Sequence, residues 1–289
     1  MPRRAPAVER AIAILNLLAA HPTERFTLSE IARDLDLNKA TLHAILWALV
    51  EAGYLIRDPD QKTYGIGPAL IALGNAATAS SPAVDAALPE MRAITDDLGL
   101  DCVASAAIHD EIVILARTGT PGPFGLNIQP GMRLPLVPPL GTVFVAWSDQ
   151  RAIDRYLARV EPEKGELDRY RGAVDAVRER GYSIGIARGA YRRLVEALKE
   201  AGHAAMEEGV KGLQEDEYAL VELEAQGSYR LNHIGAPVFA PDGGVTLALF
   251  LIGFQDQLPA EQIPRYADRL REAAGRVTKS IQGREPGAP

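Results

Sequence analysis

Apolar residues recur at helical spacing in two neighbouring segments close to the amino terminus. In both segments they stand at i, i+3, i+4 and i+7, which places them on one face of an α-helix. The two series are Leu28, Ile31, Ala32 and Leu35, and Leu42, Ile45, Leu46 and Leu49. Thr27 and Glu30 have the spacing of a capping box at the start of the first helix. The pattern predicts two short helices joined by a tight turn.

The second of these helices turns small and polar groups away from its apolar stripe. A helix that packs by one face and offers such groups on the other suits the major groove of DNA. We expect phosphate contacts from its amino end and contacts to bases or sugars further along. The predicted DNA-binding residues are Asn38, Lys39, Ala40, Thr41, His43, Ala44 and Trp47. For Trp47, packing within its own domain is the alternative.

Two short strand patterns follow the helix pair, at residues 54–56 and 63–66. The residues between them are rich in turn formers, so a hairpin is expected. Helix, helix and hairpin is the order of a winged helix-turn-helix. Arg57 and Lys62 in the wing would add backbone or minor-groove contacts. A helix over residues 7–20 is apolar over a wide arc, so one face can pack in the core and another face can contact a second chain. The alternative is a three-helix domain that binds protein or nothing.

Downstream, short strand patterns alternate with helical ones. A helix over residues 68–79 is followed by Ser80, Ser81 and Pro82, which break it. We therefore expect a winged domain over residues 1–76 and a second domain over residues 84–289. Strands flanked by helices in the second domain predict an α+β fold with a central antiparallel sheet. The predicted strands cover residues 102–108, 112–117, 133–137, 182–187, 231–239 and 245–254, and the predicted helices cover 89–98, 168–180, 261–279 and a segment that begins at 141.

The charge distribution bears on how the chain would hold DNA. The net charge is −7, but residues 1–74 contain eight basic and eight acidic side chains, so the excess acid lies downstream. A neutral winged domain predicts weak nonspecific DNA affinity, because phosphate neutralisation supplies most of that affinity. Specific binding would then need several winged domains acting together, which favours a homo-oligomer.

Cysteine content and hydropathy indicate the cellular compartment of the protein. Cys102 is the single cysteine, so an internal disulfide framework is excluded and a reducing compartment is favoured. We interpret Cys102 as a small buried apolar residue rather than a nucleophile. No stretch approaches the roughly 20 apolar residues of a membrane helix. The sequence therefore predicts a cytoplasmic protein without membrane contact.

Catalytic motifs are absent from the sequence. It contains no CxxC, no HExxH and no nucleotide-binding glycine pattern, so no enzyme, cofactor or metal site is predicted. His109, Asp110 and Glu111 could be acid–base residues or metal ligands. A hairpin turn uses the same residue types, and we favour the turn.

Short motifs follow one another in a fixed order along almost the whole chain. They occupy residues 9–11, 29–32, 39–43, 51–55, 64–67, 133–136, 141–146, 178–182 and 234–239. In this order and spacing they resemble the IclR family of bacterial transcription regulators. The resemblance implies a winged helix-turn-helix domain joined to a GAF-like effector-binding domain. It also implies a homodimer or a dimer of dimers on double-stranded DNA with an inverted-repeat operator.

The resemblance further implies a pocket for a small-molecule effector between the sheet and a loop–helix region. Gly141 and Thr142 open a predicted helix, whose free amides could receive a carboxylate, so an organic or aromatic acid is expected. His233 is a candidate for ligand contact, with a structural role as the alternative. The expected effector-binding residues are Leu126, Asn127, Leu140, Gly141, Thr142, Asn232 and His233.

The chain departs from the family pattern at three places. Ala44 stands where the family often has an arginine, and Thr142 stands where a lysine is usual. A charged segment with helical spacing, at about residues 190–227, intervenes between two strands that the family usually joins quickly. It would be a lid, an assembly surface or a solvated decoration. The rival functions are a ligand-binding enzyme with a vestigial winged module and an adaptor that does not bind DNA.

Overall fold

A computed structural model of the chain describes residues 5–21, 23–119, 128–160, 166–186, 222–224 and 226–287. The described residues divide into two compact units, one ending at Ser80 and the other beginning at Ser81. The predicted boundary around residues 80–82 lies at this division. Most of the predicted insertion at 190–227, together with Leu126 and Asn127, lies outside the described residues.

The first unit has the order of a winged helix-turn-helix, as expected. Its helices and strands are α1 (Pro6–Ala20), β1 (Phe26–Thr27), α2 (Leu28–Asp34), α3 (Lys39–Glu51), β2 (Leu55–Arg57), β3 (Thr63–Ile66) and α4 (Ala69–Ala79). The strands form an antiparallel sheet in the order β1-β3-β2. Strand β1 was not predicted, because two residues are too few to show a periodicity.

The apolar stripes of α2 and α3 form the core of the first unit. Ile31, Leu42 and Leu46 are fully buried and pack with Ile14 and Leu18 of α1. The prediction that α2 and α3 pack by these faces is therefore confirmed. Burial of each such side chain contributes about 1.5–3 kcal/mol to folding, so this face is committed to the core and the opposite face is left outside.

The predicted capping box at the start of α2 is present. The backbone N–H of Thr27 donates to Glu30 Oε2 at 2.7 Å, and the backbone N–H of Glu30 donates to Thr27 Oγ1 at 3.3 Å. These bonds satisfy amides that have no partner within the helix, and they fix where α2 begins.

Removing this cap should destabilise the chain measurably. Thr27→Ala loses the side-chain acceptor for the Glu30 amide, so we expect the free energy of unfolding to fall by about 1 kcal/mol. Urea unfolding followed by circular dichroism measures the change. Thr23→Ala, at an exposed position outside the helix, is the matched control. Equal unfolding midpoints for the two variants would contradict the role given to Thr27.

The second unit is built on a sheet, and the expected α+β architecture is confirmed. Its helices are α5 (Pro82–Leu98), α6 (Thr142–Val145), α7 (Gln150–Leu157), α8 (Glu166–Arg180) and α9 (Ile263–Ser280), with a 3₁₀ turn at Ala260–Gln262. Its strands are β4 (Asp101–Ile108), β5 (Glu111–Thr118), β6 (Arg133–Pro135), β7 (Ser183–Ile186), β8 (Ser228–Phe239), β9 (Val245–Ile252) and β10 (Gln257–Pro259).

The strands of the second unit pair antiparallel throughout the described residues. The order is β10-β8-β9-β4-β5-β6, and β7 also pairs with β8. Helices α5 and α9 cover one face of this sheet, and α6 packs on β8 and β9 from the other side. Because successive residues of a strand point to opposite faces, each strand contributes alternate side chains to two different environments.

Helices α5 to α7 differ from the expected ones. Helix α5 begins at Pro82, seven residues before the predicted helical span 89–98, and contains Pro89 in its interior. The helix that begins near Gly141 ends after a single turn, and Asp149 caps a separate helix downstream by accepting the Ala152 N–H at 2.7 Å. That helix, α7, was not predicted.

Among the described helices, none combines the length and the apolar character that crossing a bilayer requires.

Candidate DNA-reading face and effector cavity

Helix α3 presents the predicted DNA-binding residues to solvent. Asn38 caps the helix, and its Oδ1 accepts the Ala40 N–H at 2.8 Å, so the amino end is held in place. Leu42, Leu46 and Leu49 are buried on the opposite side. The predicted residues of α3 and its cap are exposed except for Thr41, which is half-buried; they are Asn38, Lys39, Ala40, Thr41, His43, Ala44 and Trp47.

Trp47 stands on this outward face near the carboxyl end of α3. The residue is 57% exposed, so the alternative that it packs within the first unit is not supported. A large apolar ring at this exposure is available to a partner. An indole can stack on sugars or bases and can donate from its ring N–H.

The wing is the hairpin between β2 and β3. Arg57 closes β2, Lys62 precedes β3, and both are exposed. Between them, Asp58 Oδ1 accepts the backbone N–H groups of Gln61 at 3.0 Å and Asp60 at 2.9 Å. Both hydrogen bonds lower the pKa of Asp58, and the bond from Gln61 has the larger effect. Asp58 therefore stabilises the turn that lies between Arg57 and Lys62.

The second unit contains a cavity on the side of the sheet away from α5 and α9. Its volume is about 70 Å³. One water-sized position takes up about 10–15 Å³, so the cavity has room for several non-hydrogen atoms. This is the size of a small organic molecule. The wall is mostly aliphatic, and it consists of Val103, Ile112, Ile114, Ile128, Leu134, Leu140, Val143, Val177, Ile184, Phe250 and Ile252, with smaller parts from Pro139, Gly141 and Ala173.

Five polar side chains complete the cavity wall: Ser105, Thr142, Arg180, Ser183 and His233. An apolar cavity with a few convergent polar groups is the usual form of a small-molecule site. Sequence reasoning gave no role to Arg180, Ser105 or Phe250. For Ser105 the sequence does contain an indication, because it is a lone polar residue in an apolar strand pattern.

Arg180 is placed by the end of α8. Its Nε donates to the backbone carbonyl of Tyr182 at 2.7 Å, and its guanidinium lies over the Tyr182 ring, 5.3 Å from the centroid. Arg178, one half-turn earlier, donates to the Ala146 carbonyl at 2.6 Å and ties α8 to the end of α6. Burial lowers the pKa of Arg180, but a guanidinium remains charged at any physiological pH.

His233 lines the cavity as a neutral imidazole. Burial, and then the charge of nearby Arg180, lower the pKa of His233 to about 4. Its ring lies edge-on to Phe250, with centroids 5.3 Å apart. A neutral imidazole has one donor and one acceptor, so it offers hydrogen bonds without adding charge to the cavity.

Leu140, Gly141 and Thr142 line the cavity through a short, tightly held segment. Thr142 Oγ1 donates to the Pro139 carbonyl at 3.0 Å, and the buried Tyr156 hydroxyl donates to the Leu140 carbonyl at 2.8 Å. Burial raises the pKa of Tyr156, so its hydroxyl stays a donor. Gly141 has a φ of +76°, and a Cβ there would lie 2.3 Å from Leu136 Cδ1. The turn into α6 therefore depends on glycine.

Two expectations about the effector residues need correction. Helix α6 spans only Thr142–Val145, and a single turn does not supply the dipole expected of a carboxylate-binding helix start. Asn232 is buried but is not part of the cavity wall. It lies at a β-bulge, where Gly185 pairs with His233 and Ile186 with Leu231, so one extra residue breaks the alternation of β8.

The His109–Glu111 segment is a hairpin turn, as predicted. Strand β4 ends at Ile108 and β5 begins at Glu111, with His109 at a φ of +56°. Glu111 pairs with Arg133 at 2.6 Å, and Asp110 pairs with Arg159. In the part of the chain that the structure describes, no three His, Cys, Asp or Glu side chains are grouped as a metal site would require.

Cys102 is buried in the core of the second unit, which agrees with its interpretation as a small apolar residue. Burial raises the pKa of its thiol to about 12, so the reactive thiolate is not populated near neutral pH.

The first unit matches the IclR helix-turn-helix domain over residues 7–59. The glycerol operon regulatory protein of Streptomyces coelicolor is 30% identical over 198 residues, which cover 64% of this chain and 75% of that protein. The protein of the same name from Streptomyces griseus is 43% identical over 75 residues, 26% of this chain and 29% of its own length. For several curated relatives, the match spans less than half of the relative's length.

The fold has a counterpart among solved structures over nearly the whole chain. An IclR transcriptional regulator from Alicyclobacillus acidocaldarius superposes with a TM-score of 0.72 at 21% identity, covering 96% of this chain and 100% of that one. The likeness therefore includes both units and their order along the chain.

Proposed function

The chain belongs to the IclR family of transcription regulators, and we propose that it binds a specific DNA operator and releases or retains it in response to a small-molecule effector. The observation that carries this proposal is the outward face of α3. Its apolar stripe is buried, while Lys39, His43 and Trp47 on the other side face solvent. A helix in this arrangement can enter the major groove while the wing contacts the backbone.

A homo-oligomer on an inverted repeat is part of the proposal. Helix α4 has no buried residue, and its Ile71 and Leu73 are 65% and 49% exposed. Val8 and Ile12 on α1 are exposed as well. Apolar side chains on two helices of one unit suit a second copy of the chain, and a symmetric pair of winged units matches a symmetric operator. Chromosomal DNA as the partner would place the protein in the cytoplasm.

The cavity in the second unit is the proposed effector site. It combines an aliphatic wall with a half-buried cation and neutral hydrogen-bonding groups, which suits a small organic acid. A ligand changes DNA affinity only if it binds one arrangement of the protein more tightly than another. The effector would thus act by shifting the populations of two arrangements with different DNA affinity.

A mobility-shift assay tests this function against its rivals. The probe is the intergenic DNA upstream of the gene, titrated with the full chain in the presence and absence of small organic acids. We expect a specific complex whose stability falls steeply with salt and changes with at least one acid. An enzyme with a vestigial winged module would consume an acid without binding the DNA, and an adaptor would leave the probe unshifted.

A further inference from the structure

Gly235 stands on the cavity side of strand β8. Its neighbours Ile234 and Ala236 pack in the core with α5 and α9, so position 235 points to the opposite face of the sheet. Gly235 pairs with Ser183 of β7 on one side and with Phe250 of β9 on the other. The side chains of both partners line the cavity. Gly235 therefore lies between two residues of the cavity wall.

The space that a side chain at position 235 would need is already occupied by these two partners. A Cβ on Gly235 would lie 2.6 Å from Phe250 Cε1 and 2.6 Å from Ser183 Oγ. Carbon atoms in favourable contact are about 3.5–4.0 Å apart, so neither neighbour could keep its place. A glycine inside a strand often marks such a close approach. The missing side chain at position 235 thus allows the Phe250 ring to lie across β8.

Aromatic neighbours surround the Phe250 ring in this position. His233 lies edge-on to it with centroids 5.3 Å apart, and Phe144 of α6 lies at 6.4 Å. Aromatic pairs at such distances stabilise each other. With the sheet beneath it and these rings beside it, a displaced Phe250 ring has the cavity as its open space.

The cavity is small enough for such a displacement to matter. Its volume is about 70 Å³. A methyl group at position 235 would require Phe250 to move by about 1 Å to reach ordinary contact distance. Ser183 would have to turn away from the same methyl group, and its side chain also lines the cavity. Both movements would reduce the volume open to a ligand.

From this geometry we infer that Gly235 sets the size limit of the effector cavity by fixing where the Phe250 ring lies. Gly235 is a positioning residue, because it acts on a bound molecule through Phe250 and Ser183. The inference rests on the proposed effector control of the same cavity, and it assigns the selection of ligands by size to one pair of residues on β8 and β9.

Two series of straight-chain molecules measure the size limit by calorimetric titration of the full chain. The probes are the primary alcohols from ethanol to octanol and the carboxylates from acetate to octanoate. While a chain fits, each added methylene should tighten binding roughly fourfold, and beyond the limit binding should weaken. For Gly235→Ala we expect the limit to be shorter by about one or two methylene groups. The ligand that the wild type binds most tightly should bind this variant roughly tenfold more weakly.

Matched variants separate this role from a loss of stability. Gly235→Ala with Phe250→Leu removes the ring that the methyl group displaces, so the limit should return to that of the wild type or exceed it. Phe250→Leu alone should lengthen the limit, and it tests the inference even if Gly235→Ala does not fold. Gly275→Ala on α9 is the control, because a Cβ there meets no atom within 4 Å, and its limit should equal that of the wild type. The limit is read within one variant, so it does not depend on how much of that variant is folded.

Mobility-shift assays of the same samples on the upstream DNA distinguish this inference from the proposed function. An unchanged limit in Gly235→Ala, or a shortened limit that Phe250→Leu does not restore, would overturn the role of Gly235 while the regulator function stands. Failure of both series to bind the wild type would overturn it as well. If the limit shifts as expected but the chain ignores DNA, the proposed function fails and the role of Gly235 in the cavity holds.

Discussion

Placing two aspartates on α4 should dissociate the proposed homo-oligomer and reduce operator affinity by roughly 10²–10⁴-fold. Ile71→Asp with Leu73→Asp replaces the two large exposed apolar side chains of this helix with charges. If a second copy covers them, each charge would have to be buried at the interface without a partner, which is strongly disfavoured. Two linked winged units bind far more tightly than one, so the loss of the partner removes that gain.

Sedimentation velocity and fluorescence anisotropy with operator DNA measure the two effects in the same buffer. Ala72→Asp is the matched control, because it adds a negative charge to the exposed surface of the same helix, about 100° around the helix axis from both apolar side chains. A double variant that keeps both its sedimentation coefficient and its DNA affinity would show that neither of these side chains of α4 lies in an interface.

Removing two groups from the amino end of α3 should weaken binding to every DNA sequence. Lys39→Ala with Thr41→Ala deletes a charge and a hydroxyl that face the expected phosphates. For a dimer two charges are lost, so we expect the slope of log affinity against log salt to become shallower by about two units. Thermal stability should change little, since the core side chains of α3 are untouched.

Lys279→Ala is the control for this second prediction. It removes the same charge from an exposed position on α9 in the second unit, so the net charge of the chain changes without any change to α3. Equal salt slopes for the wild type and the α3 variant would argue against Lys39 as a phosphate contact. A loss confined to one operator sequence would instead make these residues readers of bases.

The first unit could be predicted from the sequence because the apolar residues of its helices recur at regular helical spacing. The stripe from Leu42 to Leu49 and the capping residues Thr27 and Glu30 are local signals, and each has its expected place in the structure. Strand β1 could not be found in this way. Phe26 and Thr27 become a strand only by pairing with Tyr64 and Thr63, which lie far along the chain.

The cavity was harder to predict because it depends on pairings between distant residues. Leu140, Gly141, Thr142 and His233 were placed by resemblance, and they do line it. Asn232 was included as the neighbour of His233, but it is not among the cavity-lining residues, as expected where neighbouring residues of a strand face opposite sides. Arg180 belongs to a helix whose end is brought to the cavity by the fold, so local sequence did not reveal its position there.

Neighbouring side chains along β4 and β9 point to opposite faces of the sheet. Val103, Ser105 and Phe250 face the cavity, whereas Cys102, Ala104 and Leu249 pack in the core with α5 and α9. If the cavity is the effector site, substitutions in the first set would change which molecule it binds, while the second set keeps the core between the sheet and the helices intact. Diversification of this regulator toward new chemical signals would be expected to follow every second residue of these strands.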